Sequence, residues 1–323
     1  MGEPNYRLNP KVESPVQKIL LNQVLQLLLA VAMMLPFREH NSRGVKPHDY
    51  RIILVLCILR IFLRKTYADY EIEMRTDTRI CSILGLQILP GKSTIQRGMT
   101  MITMKLLYKI NLLMLAGFIK SKIDMMIDSS GIRIIGRSVW FCLRIKREIS
   151  KRDCDKTHLA VSSQFMFIMN WKITRYKKND CPFFKKLLAP FKLLGIITAD
   201  KGYLSRANFQ LVADKGGEAF IPFKKGKKKG STAKPKGSPA WKAAFYFWKT
   251  LNGIYMSIYH QRSRIEAVFS ALKRRYGDRL YCRKAGMRRK EMAMRFIAYN
   301  LRLLICHQYA KENNLPLWVR VNN

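Results

Sequence analysis

The spacing of apolar residues changes near residue 120, and this change constrains the fold more than any other feature. Before it, apolar residues recur three and four positions apart, the pattern of amphipathic helices, as at 16–34 and 48–64. After it, short apolar runs rich in β-branched residues follow one another, and helical spacing returns from Trp241 onward. A helical start followed by strands and then helices predicts a helical N-terminal domain at 1–120 and an α/β domain at 121–323.

The helical part contains a candidate helix-turn-helix at about 76–115. A glycine and a Pro-Gly pair mark turns, and a capping box at Ser93 and Gln96 predicts a long helix that follows them. Lys92 and Arg97 lie near the N-terminal end of that helix, where a recognition helix meets base edges or phosphates. An ordinary corner of a helical bundle has the same pattern, so both interpretations stay open.

Two apolar runs of the α/β part end in an aspartate. The run 123–127 precedes Asp128, and the run 193–199 precedes Asp200. The carboxyl ends of strands form the edge where α/β sheets bind ligands, so both aspartates are candidate site residues. The alternative for each is an aspartate that caps a turn. Asp124 is a rival to Asp128, but it lies deeper in its strand and lacks the small-residue turn that follows Asp128.

A third acid stands in the helix predicted at 258–276. Tyr259, Arg262, Glu266 and Lys273 are spaced by three, four and seven residues, which predicts that they share one helical face. Glu266 is the sole acid of this helix, so it either pairs with Arg262 or holds a metal. Two strand-end aspartates and a helix glutamate can converge on a pair of divalent cations, and oxygen-only ligands suit Mg²⁺ or Mn²⁺.

The net charge indicates the class of partner. Sixty lysines and arginines against 21 aspartates and glutamates leave a formal charge of +39. Such an excess is expected beside a polyanion, with nucleic acid as the default and an anionic membrane surface as the competitor. The apolar run 19–36 is interrupted by Asn22, Gln23 and Gln26, and the run 52–63 is shorter than the roughly 20 residues that span a bilayer. We therefore expect no membrane association.

Part of the positive charge is concentrated in the segment 224–236, which holds seven lysines and no acid. Its composition predicts a flexible loop. Given the overall charge, we expect this loop to contact phosphates without reading bases. The candidate contacts in it are Lys224, Lys225, Lys227, Lys228 and Lys229.

The cysteines indicate a reducing compartment. There are seven of them, an odd number, scattered along the chain without a Cys-x-x-Cys pair. This usage is typical of cytosolic thiols rather than of a disulfide framework or a zinc site. The N-terminus also lacks the basic and apolar regions of a signal peptide, so we expect a cytoplasmic protein.

With these residues in place, the chain resembles the DDE transposases of prokaryotic insertion sequences, in the branch whose glutamate helix carries Tyr-x2-Arg-x3-Glu-x6-Lys. Here that signature reads Y-HQ-R-SRI-E-AVFSAL-K at 259–273. Its companions are IDSSGI around Asp128 and ITADKGY around Asp200. The segments ADYEIEMR, ILGLQILPGKSTIQR and IAYNLR also resemble the family's terminal stretches, so the resemblance covers most of the chain.

The resemblance implies an RNase H-like core, a mixed sheet flanked by helices, in which Asp128, Asp200 and Glu266 bind two Mg²⁺ ions. The implied reaction is hydrolysis at terminal inverted repeats, followed by attack of the freed 3′-OH on target DNA. By the same resemblance, Tyr259, Arg262 and Lys273 grip double-stranded DNA near the scissile phosphate. The protein would be a homodimer or larger on DNA, in the nucleoid of a prokaryote.

Two alternatives from other classes stay open. A catalytically silent DNA-binding protein, a decayed or co-opted copy of the same fold, would keep the motifs without the reaction. An unrelated RNA-binding protein would have the charge, but it would not require acids at these three positions.

Overall fold

The computed structural model describes residues 6–37, 48–87, 89–119, 122–134, 154–175, 178–223 and 234–320. The chain forms two compact units, Met1–Ile110 with Lys290–Asn323, and Asn111–Arg289. Compactness alone does not decide domain boundaries, so the predicted domains at 1–120 and 121–323 stay a prediction.

Helices and strands are numbered here in chain order. The helices are α1 (Pro10–Met33), α2 (Tyr50–Leu63), α3 (Tyr67–Thr76), α4 (Thr78–Leu84), α5 (Lys92–Met101), α6 (Met104–Met114), α7 (Cys181–Leu188), α8 (Arg206–Ala213), α9 (Pro239–Thr250), α10 (Asn252–His260), α11 (Arg264–Tyr276) and α12 (Ala285–Glu312). The strands are β1 (Tyr6–Leu8), β2 (Ile123–Ile134), β3 (Cys154–Ser162), β4 (Ile168–Arg175), β5 (Leu194–Ala199), β6 (Glu218–Phe220), β7 (Arg279–Leu280) and β8 (Trp318–Arg320).

The first unit is organised around α2. Its residues are buried without interruption from Ile52 to Leu59, so apolar side chains face neighbours on every side of the helix. Helices α1 and α5 both pack against it. The short strands β1 and β8 pair antiparallel in the same unit.

Helix α1 is long and mostly apolar. Within the described part of the chain, it is the one helix long and apolar enough to cross a membrane by length and composition. Core helices of soluble proteins meet the same criterion, and α1 buries a stripe that includes Val12, Val16, Leu20 and Val24. The predicted absence of membrane association therefore stays a prediction.

The single long helix predicted from residue 93 to about 115 is wrong, because the chain breaks between α5 and α6. Ile102 is extended, with φ −62° and ψ 126°. The hydroxyl of Thr103 accepts a hydrogen bond from the Leu106 amide at 3.1 Å and thereby caps α6. Two consecutive β-branched residues lower the helix propensity at this point, and the cap offers the backbone an alternative.

The capping box predicted at Ser93 and Gln96 is also wrong. Helix α5 begins one residue earlier, at Lys92, with Gly91 as its N-cap and no side-chain hydrogen bond from that cap. The Lys92 amide instead donates to the Glu71 carboxylate at 3.2 Å. Glu71 of α3 therefore caps the N-terminus of α5, in place of the predicted capping box.

The second unit contains a mixed sheet with the strand order β4-β3-β2-β5-β6, and β7 also pairs with β2. The pairs β4/β3 and β3/β2 are antiparallel, whereas β2/β5, β5/β6 and β2/β7 are parallel. Helix α7 packs on β3 and β4, α10 on β5 and β6, and α11 on β2. The predicted α/β class, with a mixed sheet flanked by helices, is confirmed.

Strand β2 is longer than predicted. A turn or bulge was expected at Ser129-Ser130-Gly131, but β2 runs without interruption to Ile134. These three residues pair with His158, Thr157 and Lys156 of β3. Pairing with a long neighbouring strand outweighs the turn preference of the small residues. Asp128 is consequently an interior residue of β2 rather than its last one.

The helix predicted at 258–276 is interrupted. Between α10 and α11 the residues Gln261–Ser263 form a 3₁₀ turn, which has three residues per turn instead of 3.6. The turn packs against β2 and β5, so tertiary contacts override the local helical pattern. The predicted single helical face is therefore wrong: Tyr259 lies in α10, Arg262 in the turn, and Glu266 and Lys273 in α11. Helix α11 ends before Gly277, whose φ is 80°.

Candidate active site

Two parallel strands at the centre of the sheet bring the two aspartates to one edge. Ile127 of β2 lies beside Ala199 of β5 in the parallel register. Asp128 follows the first of these residues and Asp200 the second. Parallel strands present equivalent positions at the same edge, which is why the two strand-end patterns in the sequence meet in space.

Arg262 joins Asp128 to the third predicted acid. Its Nη1 donates to Asp128 Oδ2, and its Nη2 lies 3.9 Å from Glu266 Oε1. The Arg262 and Asp128 side chains are 17% and 18% exposed, whereas that of Glu266 is 67% exposed. The pairing of Arg262 with Glu266, which the spacing allows as the alternative to metal binding, therefore exists but is long and open to solvent.

The three predicted acids lie close enough to influence one another. Burial raises the pKa of Asp128; Arg262 and the Ser129 amide act in the opposite direction, and Asp200 and Glu266 raise it further. The net result is a pKa above the usual value of an aspartate. The Ser129 amide donates to Asp128 Oδ1 at 2.8 Å. We refer to Asp128, Asp200 and Glu266 as the carboxylate cluster.

Two further residues of the signature lie beside this cluster. Lys273 Nζ donates to the Ser130 hydroxyl at 3.0 Å, so Lys273 reaches β2 two residues beyond Asp128. The guanidinium of Arg262 lies over the Tyr259 ring, 5.6 Å from its centroid, as in cation–π contacts. All four signature residues therefore lie around the part of β2 that holds Asp128 and Ser130, although they do not share one helix.

Asp200 has a structural role that its sequence context predicts. Its carboxylate accepts a hydrogen bond from the Gly202 amide at 3.4 Å and caps the 3₁₀ turn Lys201–Tyr203. This is the turn-capping alternative. Among the described residues this is one long hydrogen bond to one oxygen, which leaves the carboxylate with further acceptor capacity. Capping and ligand binding are compatible at this residue.

A buried polar network stands behind the cluster on β3, and sequence reasoning missed most of it. His158 Nδ1 lies 3.1 Å from the Tyr203 hydroxyl, and its Nε2 lies 3.0 Å from the Thr174 hydroxyl. Asp180 Oδ1 is 3.4 Å from His158 Nδ1 and 2.5 Å from Lys156 Nζ. Tyr203 carried a signal, its place in the Asp-Lys-Gly-Tyr motif. Asp180 stands in a polar turn and carried none.

The same network settles the state of His158. Burial lowers the pKa of its imidazole to about 4, with Lys156 acting in the same direction and Asp180 against it. A fully buried neutral histidine with partners at both ring nitrogens is a satisfied strand residue.

Asp124, the alternative to Asp128 as a site residue, instead binds the backbone of β5. Its Oδ1 accepts from the Ile196 amide at 2.7 Å, at the register shift between β2 and β5. Gly195 makes this possible, because a Cβ there would overlap the Asp124 carboxylate. The side chain thus replaces a missing ladder hydrogen bond.

The remaining predicted contacts lie outside this site. Lys92 and Arg97 are exposed on α5 in the first unit, where Arg97 Nε donates to the Ser93 carbonyl at 3.4 Å. The loop lysines Lys224, Lys225, Lys227, Lys228 and Lys229 fall outside the described residues.

The donor set of the cluster suits a hard cation. Three carboxylates and no sulfur or imidazole match the oxygen ligands of Mg²⁺ and Mn²⁺. Across the described ranges, no three His, Cys, Asp or Glu side chains are grouped to hold a metal ion as they stand. The Asp128 and Glu266 carboxylates instead face the Arg262 guanidinium. The donors therefore suit Mg²⁺ or Mn²⁺, but a metal ion that binds there would have to displace the Arg262 guanidinium.

Comparison with known proteins identifies the family. Residues 121–301, more than half of the chain and including the whole cluster, match the model of the transposase DDE domain. No match was found among curated proteins or among solved structures. The chain therefore belongs to the family of transposases with a DDE domain.

Proposed function

We propose that this protein is the transposase of an insertion sequence, which cleaves DNA at terminal inverted repeats and joins the freed 3′-OH ends to target DNA. The observation that carries the proposal is the gathering of Asp128, Asp200 and Glu266 around Arg262 within the segment that matches the DDE domain. A core of the RNase H-like type is part of the proposal, supported by the mixed sheet with its flanking helices.

The proposed metal ligands are Asp128, Asp200 and Glu266. Two Mg²⁺ or Mn²⁺ ions bound there would activate a water or a 3′-OH and stabilise the leaving oxygen of an in-line displacement. The raised pKa of Asp128 supports this role, because crowded and partly buried carboxylates are costly in a fold unless a cation offsets them.

The cationic and aromatic residues of the signature are the proposed contacts to the DNA end. The planar fork of Arg262 suits a phosphate with two parallel hydrogen bonds. Lys273 is held toward β2 by Ser130, and Tyr259 supports the guanidinium of Arg262 from its ring face. These three side chains would orient a scissile phosphate at the cluster.

Further DNA contacts belong to the proposal outside the site. Lys92 at the N-terminus of α5 and Arg97 in its middle are exposed cations, and the loop lysines would follow the phosphate backbone. Synapsis of two element ends would require a homodimer or a larger assembly. The proposed location is the prokaryotic cytoplasm, at the nucleoid, without membrane association.

A catalytically silent DNA-binding protein of the same fold is the second candidate. One observation favours it: Asp128 already has a cationic partner in Arg262, so the site has a stable arrangement without metal. An RNA-binding protein has no such support, since nothing in it requires three converging acids.

Cleavage of a labelled duplex that carries the inverted repeat flanking the coding frame tests the proposal. We expect product with Mg²⁺ and none with EDTA. The substitutions Asp128→Asn, Asp200→Asn and Glu266→Gln should each lower the cleavage rate by more than about 100-fold, because removing a ligand costs more than removing a group that orients one. Without divalent metal, Asp200→Asn and Glu266→Gln should bind the duplex with the wild-type affinity.

Asp278→Asn is a matched control, since Asp278 is an exposed acid paired with Arg133 on the surface. It should cleave like the wild type. Cleavage at the wild-type rate by Asp128→Asn or Asp200→Asn contradicts the proposed site. Binding of the repeat without any metal-dependent cleavage by the wild type supports the second candidate.

A further inference from the structure

Resting on the proposed function, we propose that Arg262 is an internal counter-cation of the carboxylate cluster, which a DNA phosphate draws away so that DNA binding and divalent-metal binding reinforce each other. Arg262 would then have two alternative partners, the Asp128 carboxylate before the DNA end arrives and a phosphate afterwards. The metal site would be completed only in the second arrangement.

First, Arg262 and a metal compete for the same oxygen of Asp128. Asp128 Oδ1 accepts from the Ser129 amide, and Oδ2 accepts from Arg262. Both oxygens are therefore engaged. A cation that binds Asp128 through Oδ2 has to displace the guanidinium or share the oxygen with it at short range, where two positive charges repel.

The second step is that the pairing with Asp128 is the anchor of Arg262. The contact with Glu266 is 3.9 Å long and two thirds of the Glu266 side chain is exposed, so it contributes little. The contact with Asp128 is direct and mostly buried. If that one pairing is replaced, the guanidinium has no other strong carboxylate partner among the described residues.

The third step is that Arg262 has unused capacity for an anion. Its Nε is buried and meets no acceptor in the part of the chain that the structure describes. A phosphate offers several acceptor oxygens to the guanidinium fork and would use the donor that Asp128 leaves unmatched. The cation–π contact with the Tyr259 ring can hold the guanidinium near the cluster in either arrangement.

The fourth step concerns the backbone that carries Arg262. The residue sits in the 3₁₀ turn between α10 and α11, and a 3₁₀ segment within a helical stretch often marks a hinge. Glu266 lies one turn further along, in α11. A change of partner by Arg262 therefore occurs at the joint where the chain enters the helix of the third acid.

Thermodynamic linkage turns this competition into a measurable quantity. If a phosphate releases Asp128 from Arg262, DNA raises the metal affinity by a certain factor, and the metal must raise the DNA affinity by the same factor. Without Arg262 the metal no longer competes with a guanidinium, and the like charges of the cluster remain uncompensated. The free protein should then bind the metal more tightly, although it binds DNA more weakly.

The experiment measures Mn²⁺ binding to the full chain by electron paramagnetic resonance, with and without a duplex of arbitrary sequence, corrected for Mn²⁺ bound by the duplex alone. We expect Arg262→Gln to bind Mn²⁺ at least about fivefold more tightly than the wild type without DNA, the lower end of usual coupling factors. The duplex should tighten Mn²⁺ binding to the wild type by a similar factor and leave that of Arg262→Gln unchanged.

Arg264→Gln is the matched control, because it removes the same charge two residues away, where no described carboxylate pairs with the side chain. It should bind Mn²⁺ like the wild type and keep the response to DNA. Equal or weaker Mn²⁺ binding by Arg262→Gln overturns the proposal. If that variant does not fold, the wild type alone decides, since a duplex that fails to tighten its Mn²⁺ binding overturns the proposal as well.

The outcomes also separate this inference from the proposed function. Metal-dependent cleavage by the wild type with no effect of Arg262→Gln on Mn²⁺ affinity leaves the transposase proposal standing and overturns the counter-cation role. Tighter Mn²⁺ binding by Arg262→Gln in a protein that cleaves no repeat supports the counter-cation role and contradicts the transposase proposal.

Discussion

Charged side chains are grouped differently at the neighbouring strands β2 and β3. On β2 and around it, the carboxylate cluster places three acids beside Arg262. At β3, each acid is paired with a separate cation. Asp155 of β3 contacts Arg288 at 2.9 Å, and Lys156 of β3 contacts Asp180 at 2.5 Å. We call the contacts of Asp155, Lys156 and His158 the β3 network.

The two regions differ in whether their charged side chains are fully paired within the protein or can still bind a ligand. Arg288 also donates to the Arg283 carbonyl at 2.6 Å, so its guanidinium has a second acceptor. Arg262 instead retains a buried Nε without an acceptor among the described residues. Each carboxylate of the β3 network has a cation within the protein, whereas the cluster still has room for a cation and its arginine for an anion.

The largest expected effect comes from breaking one pair in each region. Asp155→Asn should lower the free energy of unfolding by about 3 kcal/mol, because it leaves Arg288 mostly buried without its carboxylate. Asp128→Asn should stay within about 1 kcal/mol of the wild type, since it also removes repulsion from Asp200 and Glu266. Urea denaturation measures both. A larger loss from Asp128→Asn than from Asp155→Asn would show that the two regions are assigned the wrong way round.

A smaller effect is expected from pH, through His158. Its pKa is lowered from 6.5 to about 4 in the fold, where it faces Asp180, Lys156 and the Tyr203 hydroxyl. The unfolded chain therefore binds more protons between these two values, and stability is lost as pH falls through this window. Between pH 7.5 and pH 5 the wild type should lose about 2 kcal/mol through this residue.

His158→Gln isolates that contribution. The glutamine does not titrate, so the loss of stability between the same two pH values should be smaller in the variant by about this amount. Denaturation of both proteins at each pH measures it. An identical loss in wild type and variant would mean that His158 is not held neutral by the network.

The smallest effect distinguishes the two regions by their response to salt. Lys273→Ala should reduce the slope of log affinity for DNA against log salt by about one, since a lysine that contacts a phosphate releases about one counterion. Lys156→Ala should leave the slope unchanged, because Lys156 is engaged by Asp180. Titrations of a duplex at several salt concentrations measure both slopes. Equal slopes for the two variants would contradict the proposal that Lys273 contacts a phosphate and Lys156 does not.

The two strands that lead to Asp128 and Asp200 could be predicted from the sequence because each depends on a local apolar run. Asp128 and Asp200 end apolar runs that form adjacent parallel strands, and Glu266 is the lone acid of a basic helix. The mixed α/β class followed from the change of apolar spacing near residue 120.

The features that were predicted wrongly depend on distant parts of the chain. The break at Gln261–Ser263 arises where the turn packs against β2 and β5, and the continuation of β2 through Ser129 and Ser130 depends on β3. The partners in the β3 network come from other segments, such as Asp180 and Arg288. No periodicity or spacing rule contains those pairings.

The most direct test of the central claim is the effect of Glu266→Gln on cleavage of the flanking repeat. The Glu266 side chain is 67% exposed and its ion pair with Arg262 is long, so the fold should not depend on it. Glu218→Gln, at an exposed position of β6, is the matched control. We expect Glu266→Gln to keep the melting temperature of the control and, measured without divalent metal, its DNA affinity, while Mg²⁺-dependent cleavage disappears. Cleavage at the rate of the control would contradict the account.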